Sequence, residues 1–276
     1  MLSALLSISL VNAQFEGSQI LQEVTSTAEH HQWQKLPVGV RMANIGQLFI
    51  GTPYVGATLD QSADQEACVV TLKGLDCVTF MESSLGLARA MARGPLTAEG
   101  VLREVTYTRY RGGKVDGYLS RLHYTTDWIR DNLKKGVVED LSATLPGAKK
   151  LDRPLYFMSS HSASYKQLAV HPELVPQLKR IEAELTLVRP WYVPRDRVAE
   201  SASKLQSGDI VALVDTREGL DYAHVGMILV KDGVPHFMHA SSAKKEVTLD
   251  TSISEYLNQN PKIPGISVVR PLEPKG

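Results

Sequence analysis

The chain has 276 residues, 43% of them hydrophobic, and its 30 basic side chains are matched by 30 acidic ones for a formal net charge of zero. That is enough apolar content to bury a substantial core as one large domain or two small ones. The charge balance argues against a general polyanion binder while leaving room for a local basic patch; no nucleic-acid partner is expected, and no apolar run reaches the roughly 20 residues that span a bilayer.

The first segment, Met1 to Gln14, is short and apolar and ends in small residues, much like the end of a secretory signal peptide, although no basic region precedes it. We read residues 1–13 as a leader or its remnant and expect export, with the mature chain starting near Gln14. An apolar first strand or helix is the alternative. Residues 15–50 read as helical packing material. Gly51-Thr52-Pro53-Tyr54-Val55-Gly56 is a punctuated loop carrying an aromatic residue, which by composition alone is expected simply to pack.

The only two cysteines follow. Cys68 lies in Ala67–Leu72, which reads as a strand, and is expected to be structural and half-buried. Cys77 lies in Gly74-Leu75-Asp76-Cys77-Val78-Thr79-Phe80-Met81-Glu82. From Met81 the apolar steps to Leu85, Ala88 and Ala92 line one face of a helix. Asp76 is an N-cap candidate, which puts Cys77 in the first turn, where free N–H groups and the helix dipole favour a thiolate. A small buried cysteine is the alternative. A Cys68–Cys77 disulfide would consume this thiol. The helix is expected to stop near Gly94-Pro95.

The middle of the chain is less regular. Val101–Tyr110 alternates weakly, Arg111-Gly112-Gly113 is a turn, and Arg121–Leu133 reads as a helix with Trp128 and Ile129 on its apolar side. Phe157–His161 precedes a helix through Leu168, and Pro172 begins another that runs to about Leu187. Arg189–Pro194 is an extended, proline-bounded connector. From Ser207 the pattern turns to strands: Ile210–Val214, then two strands flanking Asp232-Gly233, a strong hairpin signal.

With Asp232 and Gly233 as the turn, Lys231 pairs with Val234 and His224 faces Ser241, with His239 its diagonal neighbour. Side chains alternate along a strand, so His224 and His239 emerge on one face, roughly 7–8 Å apart, and His236 on the other. Two imidazoles converging near a helix-terminal thiol predict a thiol hydrolase. Cys77 would be the nucleophile, His224 the base and then the acid, and His239 the residue that orients it. Backbone N–H groups at the helix start would stabilise the oxyanion. A zinc site of His224, His239, Asp221 and Cys77 is the competing chemistry, but no His-Glu-x-x-His or Cys-x-x-Cys spacing supports it.

Taken in order, Gly51–Tyr54, Leu75-Asp76-Cys77, Gly208-Asp209-Ile210, His224-Val225-Gly226 and His239-Ala240-Ser241-Ser242 resemble the NlpC/p60-type, papain-like cysteine hydrolases of bacterial cell walls. Leu75–Glu82, Phe157–His161, Gly219-Leu220-Asp221 and Gly265–Arg270 look like the N-acetylmuramoyl-L-alanine amidase-like branch, long labelled a domain of unknown function. The resemblance spans about residues 40–272. It implies an α+β fold, with a central antiparallel sheet packed on the helix that bears Cys77 and a helical insertion at about 115–200. Residues 14–276 would form one catalytic domain. It implies Cys77, His224 and His239 as catalytic residues, with Tyr54, Asp76, Val78, Asp221 and Ser241 at the substrate.

The common Asp-Cys-Ser-Gly is Asp76-Cys77-Val78-Thr79 here. In peptide-cleaving members the serine belongs to the subsite for the free amino end of a stem peptide. Its replacement by Val78 points to cleavage of the lactyl amide between N-acetylmuramic acid and L-alanine, the endopeptidase being the alternative. The expected enzyme is exported, periplasmic or secreted, needs no cofactor and takes peptidoglycan or its fragments as substrate. Trp128, Trp191 and Tyr192 would be stacking surfaces or core. A wall-binding module that has lost turnover is a second class of reading, against which stand all three intact polar residues.

Overall fold

The structure, a computed structural model, describes residues 13–275; the expected leader lies outside the described residues apart from Ala13. The chain begins with β1 (Gln14–Glu16), α1 (Ser18–His30) and α2 (Val38–Leu48). β1 pairs in parallel with β2 (Val69–Thr71), a strand pairing that the helical reading of residues 15–50 did not include. Cys68, just before β2, is free and fully buried rather than half-buried.

α3 (Cys77–Met91) packs on α4 (Ala98–Arg109). The weakly alternating Val101–Tyr110 is thus helical. Thr97 caps it, its side chain accepting Gly100 N–H at 3.0 Å, and Val101 and Val105, four residues apart, bury the same face. α3 is more than amphipathic: every residue from Thr79 to Met91 is buried. A helix enclosed on all sides must pair its charges, and it does: Glu82 Oε2 accepts Arg109 Nε at 2.6 Å, and Arg89 Nε reaches Glu104 at 2.9 Å.

Next come α5 (Thr125–Lys134), β3 (Val138–Asp140), β4 (Lys149–Lys150), α6 (Phe157–Ser160), α7 (Lys166–Val170), α8 (Val175–Thr186) and β5 (Trp191–Pro194). The chain closes with β6 (Ile210–Val214), β7 (Tyr222–Lys231), β8 (Val234–Ser241), β9 (Glu246–Ser252), α9 (Ile253–Gln259) and β10 (Gly265–Pro271). The main sheet runs β4-β5-β10-β6-β7-β8-β9, with β3 also on β10, and its pairings are antiparallel. This is a mixed helix and sheet, α+β fold. The segment at 115–200 is not purely a helical insertion, because β3, β4 and β5 extend this sheet while its helices gather around Tyr124, Met158, Leu168 and Leu178.

One core contains Met227, Leu229, Met238 and Ala240 of the sheet together with Val24, Ile45, Leu85 and Val105 of α1 to α4. Residues of the alternate parity, Val211, Ile228, Phe237 and Val268, belong to a second core with Leu257 of α9. The hairpin register is as counted from the turn, from Lys231↔Val234 to Met227↔Met238, and Asp232 and Gly233 adopt φ 53° and 76°, the left-handed pair that a tight two-residue hairpin requires.

Candidate active site

Asp76 makes a capping box at the start of α3. Its Oδ1 accepts Thr79 N–H at 2.7 Å, and its own N–H is taken by Thr79 Oγ1 at 2.9 Å. This fixes Cys77 as the first helical residue. The backbone N–H groups of Val225, Val78 and Cys77 itself bear on the sulfur, so the thiol lies against β7 at the residue next to His224. Cys77 is half-buried, and burial pushes its thiol up to about 12; the Asp76 carboxylate adds to this, and the N–H groups only partly offset it. The helix start therefore does not yield a thiolate at rest. Desolvation outweighs the backbone N–H groups that face the sulfur.

His224 is pushed down to about 3 by burial, with His239 adding to the effect. Its Nε2 lies 2.6 Å from His239 Nδ1. His239 is nearly fully buried and its Nε2 lies 3.0 Å from Asp250 Oδ2. Asp250 also accepts Lys244 Nζ at 2.8 Å, and these two donors hold its carboxyl below the usual range in spite of burial. Proton positions follow from the chemistry of the partners. A carboxylate only accepts, so His239 Nε2 carries the proton. Burial also keeps His239 neutral, so its Nδ1 is a lone pair that accepts His224 Nε2–H. His224 Nδ1 is left unprotonated, the form a base requires. Phe237 stacks on the His239 ring at 4.6 Å and 20°, and Tyr256 meets it edge-on at 5.4 Å.

Sequence reading overlooked Asp250. The alternation Val247-Thr248-Leu249-Asp250 signals β9, and His239↔Thr248 pairing places Asp250 two residues along on the same face.

Tyr54 packs half-buried against the core, close enough to Cys77 and Asp76 to feel their charge. Its hydroxyl is pushed up by burial, and also by Cys77 and Asp76 close by. Its segment is held at both ends by the main chain: Tyr54 N–H donates to Lys245 O at 2.8 Å, and Leu75 N–H to Pro53 O at 3.0 Å. Val78 is exposed and, with Asp76, lines a cleft of about 330 Å³ bounded by Asp60, Tyr118, Arg121, His123 and Tyr165.

Two expected substrate residues face elsewhere. Asp221 is fully buried, its oxygens accepting Thr126 N–H at 2.7 Å and Tyr222 N–H at 2.8 Å. It caps α5, whose own N-cap residue, Tyr124, gives no side-chain bond. Ser241 is buried and its Oγ accepts Lys244 N–H at 3.1 Å, closing the turn into β9. His236 points away, its Nδ1 3.0 Å from Asp250 O. Trp128 is core, while Trp191 and Tyr192 are half-buried on β5, with Lys150 Nζ 4.3 Å from the Trp191 ring centre. Among the described residues no group of three or more His, Cys, Asp or Glu side chains is placed to hold a metal ion.

Residues 44–266 match the AmiA-like family, described as N-acetylmuramoyl-L-alanine amidase-like. Among solved structures, an N-acetylmuramoyl-L-alanine amidase from Bacteroides uniformis ATCC 8492 is 33% identical with TM-score 0.74, over 84% of this chain and 99% of that one. A protein from Bacteroides fragilis described as a candidate xylanase is 36% identical with TM-score 0.73, over 82% and 98%. A Legionella pneumophila protein of family DUF1460 shares the fold at TM-score 0.68 and 21% identity, over 93% and 98%. Curated proteins gave no match.

Proposed function

The chain belongs to the AmiA-like, N-acetylmuramoyl-L-alanine amidase-like family, and from that premise we propose that it is a thiol hydrolase with a papain-like, NlpC/p60-type site, cutting the amide between N-acetylmuramic acid and L-alanine in peptidoglycan or its fragments. The observation that carries this reading is the chain of contacts from Asp250 through His239 to His224, which leaves His224 Nδ1 free to accept a proton. In the proposed reaction Cys77 passes its proton to that nitrogen as the sulfur attacks the lactyl carbonyl. The developing oxyanion is met by backbone N–H groups at the start of α3. Protonated His224 then gives its proton to the alanine nitrogen as the C–N bond breaks. Water, deprotonated by His224, hydrolyses the thioester and restores the thiol.

Val78 supports the choice of bond: an exposed apolar side chain next to the nucleophile offers no group to hold a free amino end. A glycosidase reading, which the B. fragilis relative's description raises, would need two free carboxyl groups across the bond. In this cleft Asp76 caps α3, Glu82 is tied to Arg109 and Asp60 to Arg121. We further propose that residues 14–276 act as one catalytic unit and that the protein is exported.

The test is incubation of muropeptides with wild type and Cys77→Ala, read by mass spectrometry. Wild type should release peptides starting with L-alanine, and Cys77→Ala should lose at least about 10³-fold in rate. Products that keep L-alanine on the sugar would support the endopeptidase instead, and full activity in Cys77→Ala would remove the thiol mechanism.

A further inference from the structure

His123 takes no part in the relay, yet it shares its surroundings with Val78, the residue after the nucleophile. With Val78 and Leu122 it lines both the cleft of about 330 Å³ and a narrow apolar slot of about 40 Å³. Its Nε2 lies 2.9 Å from Tyr118 O, and a carbonyl only accepts, so this nitrogen carries the proton. The ring is held against Tyr118 at 4.3 Å between centroids. Burial, then the neighbouring Arg121 and Arg111, push it down to about 3, which keeps it neutral. A neutral imidazole protonated at Nε2 has its lone pair at Nδ1. Among the described residues that nitrogen has no hydrogen-bond partner, nor is it sealed in the interior.

The carboxylates around it each have a partner. Asp60 binds Arg121 at 2.6 Å, Glu82 binds Arg109 at 2.6 Å and Asp76 takes Thr79 N–H at 2.7 Å. His123 Nδ1 is a neutral acceptor, and two guanidinium groups close to it disfavour an ammonium donor. A neutral amide N–H suits it.

We propose that His123 is a specificity-determining residue of this cleft, its Nδ1 accepting an amide N–H of the bound substrate next to the scissile bond. The N–H belongs either to the acetamido group of the sugar or to the peptide backbone. This rests on the amidase reading above.

The test compares His123→Phe, which keeps a ring without the acceptor, with His123→Asn, whose amide oxygen reaches the position of Nδ1. On an N-acetylmuramoyl peptide, His123→Phe should raise KM about tenfold with kcat within about twofold, and His123→Asn should restore most of the loss. On an N-lactoyl peptide without the sugar, a penalty that vanishes assigns the N–H to the acetamido group, and one that persists assigns it to the peptide. Calorimetric binding of the same substrate to Cys77→Ala, with and without His123→Phe, reads the contact without turnover, so it separates failure here from failure of the amidase reading. Unchanged KM and affinity in His123→Phe, or equal losses in both variants, would overturn the proposal.

Discussion

His239 Nε2 lies 3.0 Å from Oδ2 of Asp250, and through that contact one carboxylate sets the protons of two imidazoles in series. Asp250→Asn keeps the shape but offers an amide group that can donate as well as accept, so His239 can turn its proton to Nδ1 and confront His224 with a donor. We expect kcat to fall about 100-fold with KM within about twofold, measured on a muropeptide. A loss below about threefold would mean that the carboxylate does not set the relay.

The thiol and the imidazole are both held neutral, one pushed up to about 12 and the other down to about 3. For an acid of raised pKa the reactive anion grows about tenfold with each pH unit below that value. Iodoacetamide labelling of Cys77 should therefore accelerate about tenfold from pH 7 to 8, and again to pH 9, followed by peptide mass spectrometry. A rate already flat below pH 6 would indicate a thiolate–imidazolium pair instead. Cys68, buried and also pushed up by burial, should label only on unfolding.

Gly226 sits where β7 crosses the ring that backs the relay. A Cβ there would lie 2.6 Å from Phe237 Cε2 and 2.7 Å from Met238 O, and Phe237 stacks on His239. Gly226→Ala should cost about 1–3 kcal/mol in urea denaturation and lower kcat, because the displaced ring moves His239. Wild-type kcat in a stable Gly226→Ala protein would separate the packing of Phe237 from the relay.

The Glu82–Arg109 pair is buried on both sides, each side chain 2% exposed. Arg109→Met alone strands a carboxyl that burial already pushes up, and should destabilise by about 3–5 kcal/mol. Adding Glu82→Leu should recover part of that loss, since no lone buried charge remains. Thermal denaturation of the three proteins tests this, and additive losses would contradict it.

Much of this was legible in the chain because it depends on local rules. Asp76 before an apolar period specifies a capped helix and the place of Cys77; Asp232-Gly233 specifies the hairpin and therefore the common face of His224 and His239. What escaped depends on distant partners. α4 looked extended because only packing on α3 shows that Val101 and Val105 share a buried face. Asp221 looked like a cleft residue, but the start of α5, 95 residues earlier, claims it through Thr126 N–H. The thiol was expected to be acidic from its helix position, whereas its enclosure by β7 is a tertiary fact. His123 carries no local pattern at all.

The segment at 51–55 has a larger role than its loop-like composition implies. Its main chain bonds on one side to Leu75, two residues before Cys77, and on the other to Lys245 and Val247, on the way to Asp250. The two halves of the site, far apart along the chain, are thus stitched together by peptide groups rather than side chains. The register between the nucleophile and its relay therefore depends on main-chain bonds that join segments far apart in the sequence.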